Sequence, residues 1–479
     1  MRSLLASTAI VSSFFVSAPV AWAGATPAEK ENAALRAEIQ ALKARLEAIE
    51  ARIGTTESRI GTTEASASAA NDAAQQAQQL AQAAQKTADA AKNAKPAVAI
   101  GWKGSPQFTQ DDKAFKVKGR IQADASYVSA PGALQDRGLG FSSEMRRIRL
   151  GGEGSLGAGF GYKLELELSD NSVDLVDTFV TYRKGSWLVQ LGNQNPAWSL
   201  DELTGDTSGS VMERAAFTDA FNFERRLGVQ VQYAKGPIIV QGGVFTDSIG
   251  DLANSSDGVK GGDENNSYSF DGRLVYAPKW GNTQFHFGAS AHWRRLGRLD
   301  ESATQYRQRP YIHGSNTRLI GTAGLKVDTE LNYGVEVAAL SGPFWGVGEF
   351  HVMRPNRVTG PTLNFRGGYA EVGAFLTSGD TRGYKGGIFV NNAPAHPMGG
   401  GGMGSIQVAL RYDYLDLDDR DIVGGKQNGY IAALVWSPIQ YLRFNVNYAL
   451  MSYDNAVALP SGKRSYDANV VGTRFELDF

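Results

Sequence analysis

Long runs of strict two-residue alternation constrain this chain more than any other feature. Phe285, Phe287, Ala289, Ala291 and Trp293 alternate with Gln284, His286, Gly288, Ser290, His292 and Arg294. Successive side chains of a strand point to opposite faces, so one face of this run is apolar and the other polar. The pattern recurs in Leu164, Leu166 and Leu168 against Lys163, Glu165 and Glu167, and in Leu227, Val229, Val231 and Tyr233 against Gly228, Gln230 and Gln232. It returns in Ile406, Val408, Leu410, Tyr412 and Tyr414, and in Leu442, Phe444, Val446, Tyr448 and Leu450 against Arg443, Asn445 and Asn447. A soluble sandwich alternates too, so period alone leaves two fold classes open.

Three features decide for a transmembrane barrel. Runs of about 9 to 11 residues suit a tilted membrane strand, tight turns alternate with long Gly/Asp/Asn-rich loops, and the chain opens on an export signal. At roughly 24 residues per strand and connection, residues 100–479 predict about 16 antiparallel strands in an all-β barrel. Closure is required because an open edge in lipid leaves backbone groups unpaired. The last run, Val471-Gly472-Thr473-Arg474-Phe475-Glu476-Leu477-Asp478-Phe479, alternates without error and ends on an aromatic. It resembles the C-terminal strand by which barrel-assembly machinery recognises outer-membrane proteins.

The export signal is read from Arg2, the apolar and small residues Leu4 to Val20, and Ala21-Trp22-Ala23. This order predicts a signal peptide over residues 1–23, removed after Ala23. No other stretch approaches the roughly 20 apolar residues of a spanning helix, so entry into a membrane falls to strands. The nearly equal 48 Lys+Arg and 49 Asp+Glu exclude a nucleic-acid binder, which needs a basic surface to neutralise phosphates.

Residues 24–99 are of another kind, holding none of the 48 aromatics and 3 of the 56 glycines. Over 24–95 the positions Leu35, Ile39, Leu42, Leu46, Ile49, Ile53, Thr56, Ile60, Thr63, Ala67, Ala70, Ala74, Ala77, Ala81, Ala84, Ala88 and Ala91 keep a 3.5-residue period. Such a seam predicts a periplasmic α-helical coiled coil about 85 Å long and self-association, with dimer and trimer both open on packing grounds. Gly54 and Gly61 predict a weak joint. The barrel domain is then 96–479.

Several barrel segments also resemble a known family. They are Phe115, then Lys118-Gly119-Arg120-Ile121-Gln122-Ala123-Asp124, Met145-Arg146-Arg147-Ile148-Arg149, Val211-Met212-Glu213-Arg214, Arg226-Leu227-Gly228-Val229 and Arg411-Tyr412-Asp413-Tyr414. In order and spacing they resemble the phosphate- and polyphosphate-selective porins of Gram-negative outer membranes, and the resemblance covers 100–479. It implies a 16-stranded homotrimeric anion channel whose lumen carries a ladder of arginines leading to a constriction made by an inward-folded loop.

Guanidinium forks suit this task because charge-assisted, often bidentate hydrogen bonds replace the water that an oxyanion sheds in a narrow pore. By the resemblance, Arg120 falls at the first ladder position, Arg146 and Arg147 at its adjacent pair, and Arg307-Gln308-Arg309-Pro310 at its arginine-alternating strand. Arg147 and Arg149 share a face by the period of two, as do Arg307 and Arg309. Arg318 is a further candidate, and Lys103 and Lys113 match lysines of the family's periplasmic funnel. The ladder is shorter than the family's, since Tyr311, His313 and Ser315 replace arginines. The constriction loop is expected within 195–218, where Asp201, Glu202 and Asp206 precede Arg214 and no lysine stands at the selectivity position. Carboxylates there are expected to repel phosphate.

Other signals are weaker. Five histidines show no metal-ligand spacing, the acidic stretches 247–266 and 416–421 read as solvated loops, and no nucleophile motif indicates an enzyme; neither cofactor nor metal is expected. The sequence therefore supports an outer-membrane porin passing small polar or anionic solutes. The alternative is a structural tether, whose coiled coil reaches the cell wall while the barrel sits in lipid.

Overall fold

A computed structural model of the chain describes residues 27–57, 64–93, 98–249, 267–297 and 304–479. The signal-peptide expectation, Gly61, Pro96 and most of the 247–266 stretch lie outside them. The chain divides into two units, 1–99 and 100–479.

The first unit holds two helices, α1 (Pro27–Glu57) and α2 (Glu64–Asn93). Pro27 opens α1, where its missing N–H has no intrahelical partner to lose. Ile39 and Leu42 of α1 share one apolar cluster with Ala84 and Ala88 of α2. One continuous helix would hold those groups about 65 Å apart, so the expected single rod is corrected: the chain folds back, and the bulky half of the seam packs on its own alanine half. Small side chains opposite Ile and Leu permit that approach. Gly54 lies within α1.

The second unit is a closed antiparallel barrel of sixteen long strands among the described residues. They are β1 (Lys113–Ser129), β2 (Gly140–Gly157), β3 (Phe160–Glu167), β4 (Asp174–Lys184), β5 (Trp187–Gln194), β6 (Arg226–Lys235), β7 (Ile238–Phe245) and β8 (Tyr268–Tyr276), followed by β9 (Thr283–Arg295), β10 (Val327–Ser341), β11 (Phe344–Arg357), β12 (Phe365–Phe375), β13 (Ser405–Asp419), β14 (Ile422–Ile439), β15 (Leu442–Asp454) and β16 (Tyr466–Asp478). Each pairs with its chain neighbours, and β16 returns to β1 in register from Asn469 opposite Ser129 to Asp478 opposite Arg120. Phe479 completes the seam: its N–H donates to Gly119 O at 2.9 Å, and Gly119 N–H donates to Phe479 O at 3.0 Å. Glycine is needed there, since a Cβ on Gly119 would stand 2.2 Å from the Phe479 ring.

Alternation sorts the wall as expected. Leu150, Leu191, Val240, Val335, Leu410 and Val446 are exposed outward, whereas Gln122, Asp124, Arg147, Asn445, Arg474 and Glu476 are buried inward. An apolar outer band suits lipid and a polar interior suits water. Paired aromatics rim the end that carries the termini of the barrel, such as Phe160 with Tyr182, Trp187 with Tyr233, and Trp436 with Phe444. Tyr268, Phe270 and Trp293 cluster toward the other end.

The two ends differ in their connections. At the end with the termini most turns are two residues long, as at Gly236-Pro237, where Gly236 adopts φ 58°. Glycine tolerates that left-handed backbone, which matches the twist of a tight hairpin. The opposite end carries the long loops, of which 195–225 and the described residues 304–326 fold inward. Their apolar residues fill one side of the lumen: Phe217 stacks on His351 at 4.6 Å, Trp198 on Phe223 at 4.5 Å, and Tyr306 packs on Phe365 at 5.1 Å.

One connection breaks the rule of short turns. Residues 376–404 leave the short-turn end, and a hairpin of Gly383–Lys385 with Ile388–Val390 enters the barrel. Arg273 donates to Gly387 O at 2.9 Å, His286 Nδ1 lies 2.6 Å from the Tyr384 hydroxyl, and Arg382 lies between the rings of Trp345 and Phe389. Phe389 N–H reaches Thr204 Oγ1, and the Asn391 side chain donates to Thr207 O. Inward elements from both ends therefore meet inside the lumen.

Candidate functional site

The 195–225 loop has the sequence of a segment that must cross water and bury its ends. Ser199 caps α3 (Leu200–Leu203) by accepting from Glu202 N–H at 3.0 Å. The Asp201 carboxylate accepts from Ala215 N–H at 2.8 Å, folding the loop onto itself. Beyond it, α4 (Ala216–Ala220) buries Ala216, Phe217 and Ala220 in the lumen core. The small polar residues 205–210 offer no apolar face, so their backbone needs partners on the wall.

The wall supplies them strand by strand. Glu336 on β10 and Glu349 on β11 accept from Leu200 N–H at 2.6 and 3.1 Å, and Glu349 also accepts from Asp201 N–H at 2.6 Å. Glu371 on β12 accepts from the Ser210 hydroxyl, and Asp413 on β13 from Ala216 N–H at 3.1 Å. From β15, Arg443 donates to Thr207 O and, at 2.7 Å, to Gly209 O. From β16, Arg474 donates to Met212 O at 2.6 Å and to Glu213 at 2.6 Å while also holding Asp124 at 2.7 Å.

The candidate residues divide into three groups. Arg120 and Arg147 both face inward and meet on Asp206, at 2.5 and 2.8 Å. Arg147 lies opposite Gln122 while Met145 lies opposite Ala123, so Arg146 is the extra residue of a β-bulge. A bulge lets neighbours share a face, and both Arg146 and Arg147 line the same cavity. Arg149 points inward as well and pairs with Glu167 at 2.7 Å and Glu165 at 3.6 Å.

The second group is displaced from the expectation. Arg307 and Arg309 lie in the 296–326 connection, where Arg307–Gln308 is a two-residue extended piece that pairs with Ile320–Gly321. Pro310 has no N–H to extend a ladder. Arg309 lines the lumen cavity and stands 3.3 Å from Asp219, whereas Arg307 and Arg318 line a different cavity. The shared face expected for Arg307 and Arg309 is thus corrected. Lys103 and Lys113, the third group, are exposed at the short-turn end.

The loop carboxylates are not the bare charges that the sequence suggested. Asp201 pairs with Arg411 at 3.2 Å, Glu202 with Arg214 at 3.5 Å, and Asp206 with two guanidiniums. Burial would raise the Asp206 carboxyl, but Arg120 and Arg147 hold it well below the usual carboxylate range. Burial acts likewise on Glu213, where Arg474 and Arg146 win and hold the carboxyl at about 2. Glu202 goes the other way: burial raises it and Arg214 opposes only in part.

A cavity of about 360 Å³ lies beside this loop. Its lining holds six arginines, among them Arg146, Arg147, Arg214 and Arg309, and six carboxylates, among them Glu202, Asp206, Glu213 and Asp219. Formal charges balance, so any preference rests on which groups remain free to bind. Arg146 Nε stands 3.7 Å from Glu213 without a hydrogen bond, and Arg309 Nε likewise has no acceptor among the described residues. Across the barrel wall, Arg225 and Lys163 share Asp177 at 2.6 Å each.

Sequence reasoning missed Arg225, Arg411, Arg443 and Arg474 as site residues, although the last three occupy the polar face of alternating runs. Inward parity on strands already recognised was the signal that marked them. The family model for "Phosphate-selective porin O and P" matches residues 115–479. A protein of Caulobacter vibrioides, itself uncharacterized, is 63% identical over 389 residues, spanning 81% of this chain and 79% of that one. Among solved structures, the anion-selective porin from Comamonas acidovorans is 13% identical, with a TM-score of 0.48, over 77% of this chain and all of that one. The outer membrane channel DcaP of Acinetobacter baumannii is 14% identical, with a TM-score of 0.46, over 80% of this chain and all of that one.

Proposed function

Because the chain belongs to the phosphate-selective porin O and P family, we propose that it forms a homotrimeric, water-filled outer-membrane channel for small anions such as phosphate and for other small polar solutes. The observation that carries this reading is the lumen cavity, where loop carboxylates are clamped by neighbouring arginines while the Nε groups of Arg146 and Arg309 have no acceptor among the described residues. An anion entering the cavity meets guanidiniums it can hydrogen-bond and carboxylates whose charge is already opposed. Spreading those contacts over several weak sites lets the anion leave again.

In this reading the short-turn end faces the periplasm and the long loops face outward, the arrangement usual for such barrels. Residues 1–23 are the signal, 24–95 the periplasmic helical segment and 96–479 the porin domain. Lysines 103 and 113 then stand at the periplasmic mouth, and Arg149, Arg147, Arg146 and Arg309 follow the path outward. The trimer is the assembly that the family resemblance implies, and the outer band of the barrel meets lipid. The tether alternative loses the 85 Å rod on which it rested, since α1 and α2 lie side by side.

The test is the reversal potential of the purified protein in a planar bilayer under a chloride gradient, with phosphate added to one side, before and after Arg146→Gln with Arg309→Gln. Anion preference with block by phosphate, weakened in the variant, supports the reading. Conductance that is cation-selective or indifferent to phosphate overturns the anion assignment, and absence of conductance overturns the channel.

A further inference from the structure

A second cavity, of about 260 Å³, lies between two connections and the start of β14 at the long-loop end. Arg307 and Arg318 enter it from 296–326, Arg464 enters from 455–465, and Val423 and Gly424 of β14 close one side. Its volume is about nine times a water's share of the liquid, enough for a compact polyatomic ion. The described residues lining it include no carboxylate. That sets it apart from the lumen cavity, where six carboxylates answer six arginines.

The donors are arranged but unfilled. Arg464 is held by two loop carbonyls, through Nε to Ala456 O at 2.7 Å and Nη2 to Asn455 O at 2.8 Å, which leaves Nη1 available. Arg318 makes only long bonds from Nη1, to Asn316 O at 3.3 Å and Thr317 O at 3.4 Å, and its buried Nε has no acceptor. Asp219, the carboxylate that acts on Arg318, is already engaged with Arg309 at 3.3 Å. Burial first, then the like charges of Arg309 and Arg307, push Arg318 down to about 10. Gathering cations with no counter-charge is unfavourable unless an anion joins them.

We propose that Arg307, Arg318 and Arg464 form a docking site for a phosphoryl-type oxyanion, separate from the lumen cavity. Guanidinium forks match the oxygen spacing of such groups, and three of them favour a multiply charged ion over chloride. The ion is either free in solution or the phosphorylated headgroup of a membrane glycolipid, which the two outer loops are placed to reach. The site does not depend on conduction: a barrel that passes no current can bind the ion, and one that conducts can lack the site.

The test is isothermal titration of the full-length protein in detergent with inorganic pyrophosphate and, separately, with micelles of a phosphorylated glycolipid. Wild type should bind saturably in at least one arm, and Arg318→Gln with Arg464→Gln should weaken that binding about a hundredfold, about tenfold for each guanidinium removed. Lys235→Gln, which removes an exposed charge at the short-turn end and outside both cavities, should retain it. Binding with pyrophosphate supports a free ion as ligand, and binding with glycolipid alone supports the headgroup. Binding in neither arm overturns the proposal, as does binding that the double variant retains at wild-type strength. Heat-dependent gel mobility reports whether the double variant is folded; should it not be, the exposed Arg307→Gln reads the same outcome.

Discussion

Asp206→Asn changes the charge of the constriction while almost preserving its shape. Asparagine keeps the volume and one acceptor oxygen but lacks the charge that holds Arg120 at 2.5 Å and Arg147 at 2.8 Å. Because those two arginines keep the carboxyl well below its usual range against the opposing effect of burial, the native group is ionised at ordinary assay pH, and the substitution removes one full negative charge. For an anion passing about 5 Å away, that removal is worth about 0.8 kcal/mol in a water-like dielectric, or about fourfold in occupancy. A cation loses a similar amount, so the anion-to-cation permeability ratio should rise by up to about sixteenfold. Reversal potentials in planar bilayers under a potassium chloride gradient measure this directly. Adding Arg120→Gln removes a positive charge from the same spot and should bring the ratio back toward wild type. An unchanged potential in Asp206→Asn, or a shift toward cations, refutes the placement of Asp206 beside the permeation path.

Three further outcomes follow from other contacts. Glu202 has a raised carboxyl, so its ionisation is disfavoured in the folded barrel and its charge is lost sooner than an ordinary carboxylate's as pH falls from neutral; anion preference should climb on acidification, and Glu202→Gln should flatten that rise, whereas a flat wild-type curve counts against it. Arg443→Ala removes the donors to Thr207 O and Gly209 O, hydrogen bonds of about 1.5–3 kcal/mol each when the donor is charged, and should increase open-channel current noise; equal noise would show that the loop does not need this arginine. Gly119→Val forces side-chain atoms into the Phe479 ring at about 1–3 kcal/mol and should lower the temperature at which folded barrel converts to unfolded chain on a gel, with no change sinking the account of the seam.

The barrel, its strand count and its closing strand were legible because lipid imposes a local rule: alternate residues, repeated in every strand. The position of the inward loop was legible through its length and the resemblance around Val211 to Arg214. The pairings inside were not, because lumen partners are remote in sequence; Arg120 and Asp478 are 358 positions apart, and no local pattern marks which carboxylate meets which arginine. Arg307 and Arg309 looked like a strand by period, yet Pro310 ends the ladder after two residues and leaves them in a loop. The 376–404 insertion carried a weak signal, a connection too long for its end of the barrel. In the first unit a 3.5-residue seam specifies a contact face without naming the partner, and the structure places α2 there.

The wall contacts of the 195–225 loop have a mechanical consequence. The chain leaves the sheet after β5, re-enters at β6, and between them is bonded to β10, β11, β12, β13, β15, β16, β1 and β2. A bare cylinder resists ovalisation only through the bending stiffness of its sheet, whereas a cylinder spanned by a strut cannot flatten without stretching or breaking it. Lateral pressure from the bilayer, a change of lipid thickness or crowding by neighbouring proteins is thereby borne by charge-assisted bonds across the diameter. The width available to a solute is set by the strut and its footing, not by the membrane around the barrel.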